Sequence, residues 1–294
     1  MDQEQNLKSI LDKINKLPEV YHVAIKVSKM LDDPNVNAQQ ISKVISLDQA
    51  LTTQLLKLCN SASYGFSRKI VSINEAISRL GFKTIKSLVF LAISQSTLNH
   101  TVKGYDLAKG ELWRNSISCA VYSRYLAQIS KYKDPEVAFT AGLLRDIGKL
   151  MIHEYVGKAY NQISDLVTKK SVTFSTAEEL ILGFNHSHIG SEVANKWNFP
   201  TILVETIKYH HSPEAALKAD CEDIKLISIV HIADSLTMML GNGIGSDGMM
   251  YSLELKSLEH LGIAQQAASI ENLIAEMTEL NNEINAMIGI VNEK

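Results

Sequence analysis

Residues 46–62 read SLDQALTTQLLKLCNSA, and the spacing of their leucines decides the fold class. Leu47, Leu51, Leu55 and Leu58 recur at three- and four-residue steps, which stacks them on one stripe of an α-helix. A half-buried strand would instead alternate apolar and polar residues. The same period extends outward. In 71–97, VSINEAISRLGFKTIKSLVFLAISQST, a stripe of Ile73, Ala76, Ile77 and Leu80 is broken by Gly81 and resumes through Ile85, Leu88, Val89 and Ala92. Around 192–200, EVANKWNFP, a helix carrying Ile189, Val193 and Trp197 stops just before Pro200, where helices commonly end. Alternating β-type runs are scarce, and the connectors are short. The spacing predicts an all-α fold.

The whole chain bounds the function class. Its 294 residues suffice for one large domain or two modest ones. The net charge of −3 and isoelectric point near 6.3 give no reason to expect nucleic acid or an anionic membrane as the main partner. Cys59, Cys119 and Cys221 are widely spaced and read as reduced core thiols. The opening MDQEQNLKSI carries no apolar signal-peptide core. The longest apolar run, LVFLAI at 88–93, is too short to span a bilayer. A cytoplasmic location is expected.

Three features have ordinary readings. GNGIGSDG at 241–248 contains GxGxxG at Gly243, Gly245 and Gly248, but a helix precedes it where a dinucleotide site needs a strand. It is expected to be a flexible loop. Arg79, Lys83 and Lys86 are spaced to share one helix face, expected to be a solvated basic surface. The tail at 264–291 places Ile270, Leu273, Ile274, Met277, Leu280, Ile284 and Met287 at helical spacing. That predicts one amphipathic terminal helix, packed on its own domain or serving as an oligomer seam.

The informative residues are polar groups inside apolar helical pattern. They are Asn115, the doublet Arg145-Asp146 in TAGLLRDIGKL (140–150), His186, His210-His211, and His231 with Asp234. Histidines and carboxylates on packed helices are the usual way a bundle builds a metal site. Helical neighbours point about 100° apart, so His210 and His211 should not face one centre equally. Arg145 and Asp146 should diverge unless the arginine stem curls back. His231 and Asp234, three apart, share a face, whereas His188 should point away from His186.

These segments carry a resemblance. LKLCNSASYG (56–65), SINEAISRLGFKTIKSLV, LWRNSISCA, AFTAGLLRDIGKL, ILGFNHSHIGSEVANKWNFP, IKYHHSP and SIVHIADSL occur in that order over about 14–240. The chain resembles HDOD-domain proteins, relatives of the HD phosphohydrolase superfamily. The resemblance implies an all-α, HD-like domain over 1–212 with additional N-terminal helices. A helical extension over 213–294 would pack on it and contribute Asp234. It also implies a bacterial signal-transduction role through other signalling proteins.

Compared residue by residue, catalytic HD enzymes bind divalent metal with an early His, a His-Asp doublet and a later Asp. Here Asn115 and Arg145 stand at the two histidine positions, while Asp146 and Asp234 are kept. His186 and either His210 or His211 match the additional ligands of two-metal relatives. A guanidinium cannot ligate, and two unit charges about 4 Å apart repel by roughly 4 kcal/mol at an effective dielectric of 20. The expectation is a degenerate pocket of Asn115, Arg145, Asp146 and Asp234, with Arg145 as counter-ion to the acids and no cofactor. A residual divalent metal at Asp146, His186, His210, His211 and Asp234 stays open. The expected function is a non-catalytic signalling or interaction module. The alternatives are a metal-dependent phosphohydrolase with an atypical ligand set and a small-ligand (nucleotide) sensor.

Overall fold

The computed structural model describes residues 10, 19–31, 33–61, 64–249 and 253–292. Residues 14–18, where the family-like stretch begins, and the opening nonapeptide lie outside the described residues. In chain order the helices are α1 (Glu19–Leu31), α2 (Ala38–Ile45), α3 (Gln49–Cys59), α4 (Ile73–Leu98), α5 (Glu111–Ile129), α6 (Pro135–Leu144), α7 (Lys149–Lys170) and α8 (Phe174–Leu182). They continue with α9 (His186–Lys196), α10 (Thr201–Tyr209), α11 (Pro213–Lys218), α12 (Ile224–Met239), α13 (Lys256–His260), α14 (Ala267–Glu279) and α15 (Asn281–Asn292). Short 3-10 turns occupy Lys103–Tyr105 and Ser246–Met249. Among the described residues there is no sheet, and β-pairing is limited to an isolated bridge between Val102 and Leu107. The fold is all-α, and no described helix is long and apolar enough to cross a membrane.

The chain forms two compact units: Leu17–Thr97 with Leu280–Lys294, and Met1–Lys16 with Leu98–Glu279. Asp234 shares a unit with Asp146. In the smaller unit, Asp48 caps α3 by accepting the Leu51 N–H at 3.0 Å. Leu47 therefore precedes the helix and is 80% exposed, while Leu51, Leu55, Leu58 and Cys59 form the buried stripe. Counting the period one turn too early put Leu47 in the core. Asn60, from the family-like Asn-Ser motif, latches the chain after α3. Its amide donates to the Leu56 and Ile70 carbonyls and its oxygen accepts the Ile70 N–H at 2.7 Å.

Gly81 adopts φ 78, ψ 166 and kinks α4, a conformation costly for any residue with a Cβ. It separates Arg79 from Lys83 and Lys86, so the three do not line one continuous helix face. Arg79 pairs with Glu75 at 2.8 Å. The expected single terminal helix is two, α14 and α15, assigned to different units. Asn281 and Asn282 follow Leu280 at the break, and asparagine favours helix ends over interiors. Leu273 and Met277 on α14 and Ile284 and Met287 on α15 are buried within this chain.

In the larger unit, α6 and α12 pack against α5 and against each other. All three are buried around most of their circumference, as expected of central helices that lack a polar face. Side-chain caps fix where these elements start. Asp134 with Pro135 opens α6, Asp223 opens α12, and Asn185 opens α9. Such caps are each worth about 1 kcal/mol. Helix α7 packs on α8 and α9, and α9 on α10. Cys59 and Cys119 are buried, whereas Cys221 is only half-buried; none is in a disulfide.

Candidate functional site: a buried ion and histidine cluster

The end of α6, the starts of α5 and α9, the end of α10 and the middle of α12 meet in the larger unit. Helix α6 ends at Leu144, so Arg145 and Asp146 lie in the following turn rather than inside a helix. Gly148 lets that turn lie directly on the start of α9, since a Cβ there would come within 2.0 Å of the His186 carbonyl oxygen. Arg145 is fully buried. Its Nε donates to Asp234 Oδ1 at 2.7 Å, its Nη1 to the Gly142 carbonyl at 3.0 Å, and its Nη2 to Asn115 Oδ1. Nη2 also lies 2.6 Å from Asp234 Oδ1 and 3.1 Å from Asp146 Oδ2. The stem does curl back, and one guanidinium serves both acids.

Lys149, three residues after Asp146, lies 3.0 Å from Asp146 Oδ2 and 2.5 Å from Asp247 Oδ2. Burial works against the charges of Asp146, Arg145 and Lys149, but their mutual attraction outweighs it. It holds the Asp146 carboxyl well below the usual range and both cations above theirs.

On the other side of Asp146, Oδ1 faces His186 Nε2 at 3.4 Å and His210 Nε2 at 3.7 Å. His186 Nε2 lies 2.8 Å from His211 Nε2. The His210 side chain is fully buried and that of His211 is 21% exposed, so the two do not face the centre equally. Both enter the cluster, with ring centroids 4.0 Å apart. His211 also lies 3.8 Å from Asp234 Oδ2. Burial and the neighbouring His210 and His186 hold the His211 imidazole well below its usual pKa. Burial opposes charge on His186 too, but Glu178 outweighs it and raises that ring.

The expectation that His231 joins Asp234 in the pocket is not met. Its Nδ1 donates to the His210 carbonyl at 2.7 Å and its Nε2 accepts the Glu254 N–H at 2.9 Å. It is a neutral brace behind His210, its pKa pushed down to about 4 by burial. His188 is half-buried, with its N–H on the Asn185 cap at 2.8 Å.

Three members escaped sequence reasoning. Glu178 is fully buried on α8. Its Oε1 accepts the Tyr105 hydroxyl at 2.5 Å, and its Oε2 accepts His186 Nδ1 at 2.7 Å and the His186 N–H at 3.0 Å. Nothing in AEEL distinguishes it from its neighbour Glu179. Lys149 was detectable from its three-residue offset to Asp146. Asp247 lies in the glycine-rich segment expected to be a flexible loop. That segment is instead a packed strap, with Asn242, Gly243, Ser246 and Asp247 buried. The Asn115 amide donates to the carbonyls of Asn242 and Gly243, both at 3.1 Å. A Cβ at Gly243 would fall 2.2 Å from the Glu111 carbonyl oxygen, and one at Gly245 2.2 Å from that of Tyr105. The glycines serve close backbone contact, not a phosphate.

Two potential metal positions follow from the donors. Asn115, Arg145, Asp146 and Asp234 do not fit a metal ion, because the Arg145 guanidinium already contacts all three of the others. Asp146, His186, His210 and His211 do fit one by donor type, their ligand atoms lying within 4.8 Å of one another. His210 Nδ1 donates to the Ile207 carbonyl at 2.8 Å, and its buried Nε2 has no hydrogen-bond partner. Glu178 orients His186 in the same way. Carboxylate and carbonyl partners of this kind commonly orient metal-binding histidines.

Residues 17–213 match the profile of the HDOD domain, and the chain belongs to the HDOD family. A solved HDOD domain protein of unknown function from Geobacter sulfurreducens is 25% identical, with a TM-score of 0.73. The alignment covers 98% of this chain and 97% of that one. A Marinobacter aquaeolei structure, provisionally described as a signal transduction protein, is 20% identical with a TM-score of 0.72. It aligns over 99% of this chain and 66% of its own, a likeness of fold. An uncharacterised Treponema pallidum protein is 24% identical over 205 residues, 69% of this chain and 39% of that protein. The chain thus spans about two fifths of the length of that curated relative.

Proposed function

We propose that this HDOD chain is a non-catalytic signal-transduction or interaction module whose HD-type pocket has become a buried polar lock. The observation that carries the reading is the Arg145 guanidinium, which bonds Asp234 and Asn115 and pairs with Asp146. Those are the positions where catalytic HD relatives hold metal. A Lewis acid there would lower the pKa of bound water; a guanidinium offers only hydrogen-bond donors. The Marinobacter structure is provisionally described as a signal transduction protein, and on this reading the chain acts through other signalling proteins in the cytoplasm. Purified chain assayed on cyclic and linear phosphoesters with Mn²⁺ or Mg²⁺ should show no turnover. Turnover abolished by Asp146→Ala would overturn the proposal.

A second reading is favoured by the unpartnered His210 Nε2: a residual divalent cation held by Asp146, His186, His210 and His211. Two fixed cations, Arg145 and Lys149, face three carboxylates, Asp146, Asp234 and Asp247, and a cation would offset that imbalance. Metal analysis after incubation with Mn²⁺ should then give one equivalent, lost in His210→Ala. Metal binding without turnover would place the chain as a metal-holding module rather than an enzyme.

A further inference from the structure

A cleft of about 390 Å³ opens between the Lys103–Tyr105 turn and α7, lined by Lys103, Asp106, Gly157, Lys158, Tyr160 and Asn161. Its size is that of a small-ligand site. Two ammonium groups, the Asn161 amide and the Tyr160 hydroxyl supply donors, against one carboxylate, Asp106. Lys103 and Lys158 hold no ion pair among the described residues, and the chain as a whole is net negative. Attraction for an anion is therefore local, from this lining, rather than a field of the whole protein. Lysine ammonium groups suit phosphate as mobile point charges.

One wall of the cleft reaches the buried cluster. Tyr160 Oη lies 2.9 Å from Ser246 Oγ on the strap. The next residue, Asp247, pairs with Lys149, which in turn pairs with Asp146. We propose that this cleft binds a small phosphate-bearing anion, and that occupancy is passed to the strap through the Tyr160–Ser246 hydrogen bond. A ligand oxygen that takes the Tyr160 hydroxyl competes directly with Ser246. This goes beyond the signalling reading by supplying an input, distinct from the HD-type pocket.

Pyrophosphate is the probe. Isothermal titration of the full chain should show saturable binding, weakened at least about tenfold in Lys103→Gln/Lys158→Gln, as loss of charge-assisted contacts demands. These side chains are exposed, so the variant should keep the parent melting temperature, and Lys109→Gln should bind as the parent does. Absence of saturable binding, or equal binding by the double variant, overturns the site. So does preference for polyglutamate over pyrophosphate, which would indicate an acidic protein partner. In the readout arm, pyrophosphate should alter amide exchange at 241–248 in the parent. Tyr160→Phe should still bind but lose that response; an unchanged strap in the parent overturns the coupling. The titration needs no turnover, so its failure leaves the non-catalytic reading standing, and the reverse.

Discussion

The two oxygens of Asp146 meet opposite solutions to the same problem. Oδ2 lies 3.1 Å from the Arg145 guanidinium and 3.0 Å from the Lys149 ammonium, charges that persist at any physiological pH. Oδ1 faces two imidazole nitrogens at 3.4 and 3.7 Å. A buried carboxylate needs a cation or donors. On the Oδ2 side the sequence supplies them permanently; on the Oδ1 side the lone pairs await a proton or a metal. The difference divides the cluster in two. Asn115 and Arg145 fill one half with hydrogen bonds, while the other half gathers imidazoles and the groups that orient them.

The comparison breaks most visibly if Arg145 is removed. Arg145→Met leaves Asp234 without its main partner and Asp146 with Lys149 alone, both buried. The expected loss is about 3–5 kcal/mol in urea denaturation. Adding Asp234→Asn to that variant should recover part of the loss, because the neutral amide no longer needs a counter-ion. A loss under about 1 kcal/mol for Arg145→Met would mean that the guanidinium is not the acids' counter-ion.

A smaller effect sharpens the role of the strap. Asp247→Asn keeps the shape but withdraws one of the two carboxylates on Lys149. The expected loss is about 1–3 kcal/mol, with faster amide exchange confined to 241–248. Unchanged exchange would show that the glycines and the Asn115 amide hold the strap without the ion pair.

Much of this was legible in the sequence, for reasons that differ by element. The helical period announced α3, α4 and α9, because each keeps an apolar stripe against a polar face. It also showed the break at Gly81 that kinks α4, but not that α14 and α15 are separate, since a period survives a break that preserves phase. Asp146, Asp234 and His186 stood out as polar residues in apolar pattern. Glu178 did not, because burial rather than residue type separates it from Glu179. The 100° step between His210 and His211 gave their unequal exposure, but not that both rings would still reach the cluster. Asp247 was hidden in a segment whose glycines resembled flexible filler but serve backbone contact.

His231 offers the finest division between the fixed and the titratable parts of the cluster. It sits behind His210, bonded to the His210 carbonyl and the Glu254 N–H. Burial favours its neutral form and pushes its pKa down to about 4 from an ordinary value of 6.5. The stability this supplies is complete above about pH 6.5 and is lost as pH falls toward 4, by up to about 1.4 kcal/mol per pH unit. His231→Phe removes that dependence, at a cost near neutrality of about 1–3 kcal/mol for two unpaired backbone groups. The parent's advantage over His231→Phe should therefore be largest at pH 7 and shrink steadily toward pH 4.5 in urea denaturation. Taking the difference cancels the opposing contribution of His186, whose raised pKa stabilises the fold at low pH instead. A gap constant across that range would mean that His231 titrates at its ordinary value and that water reaches the brace behind His210.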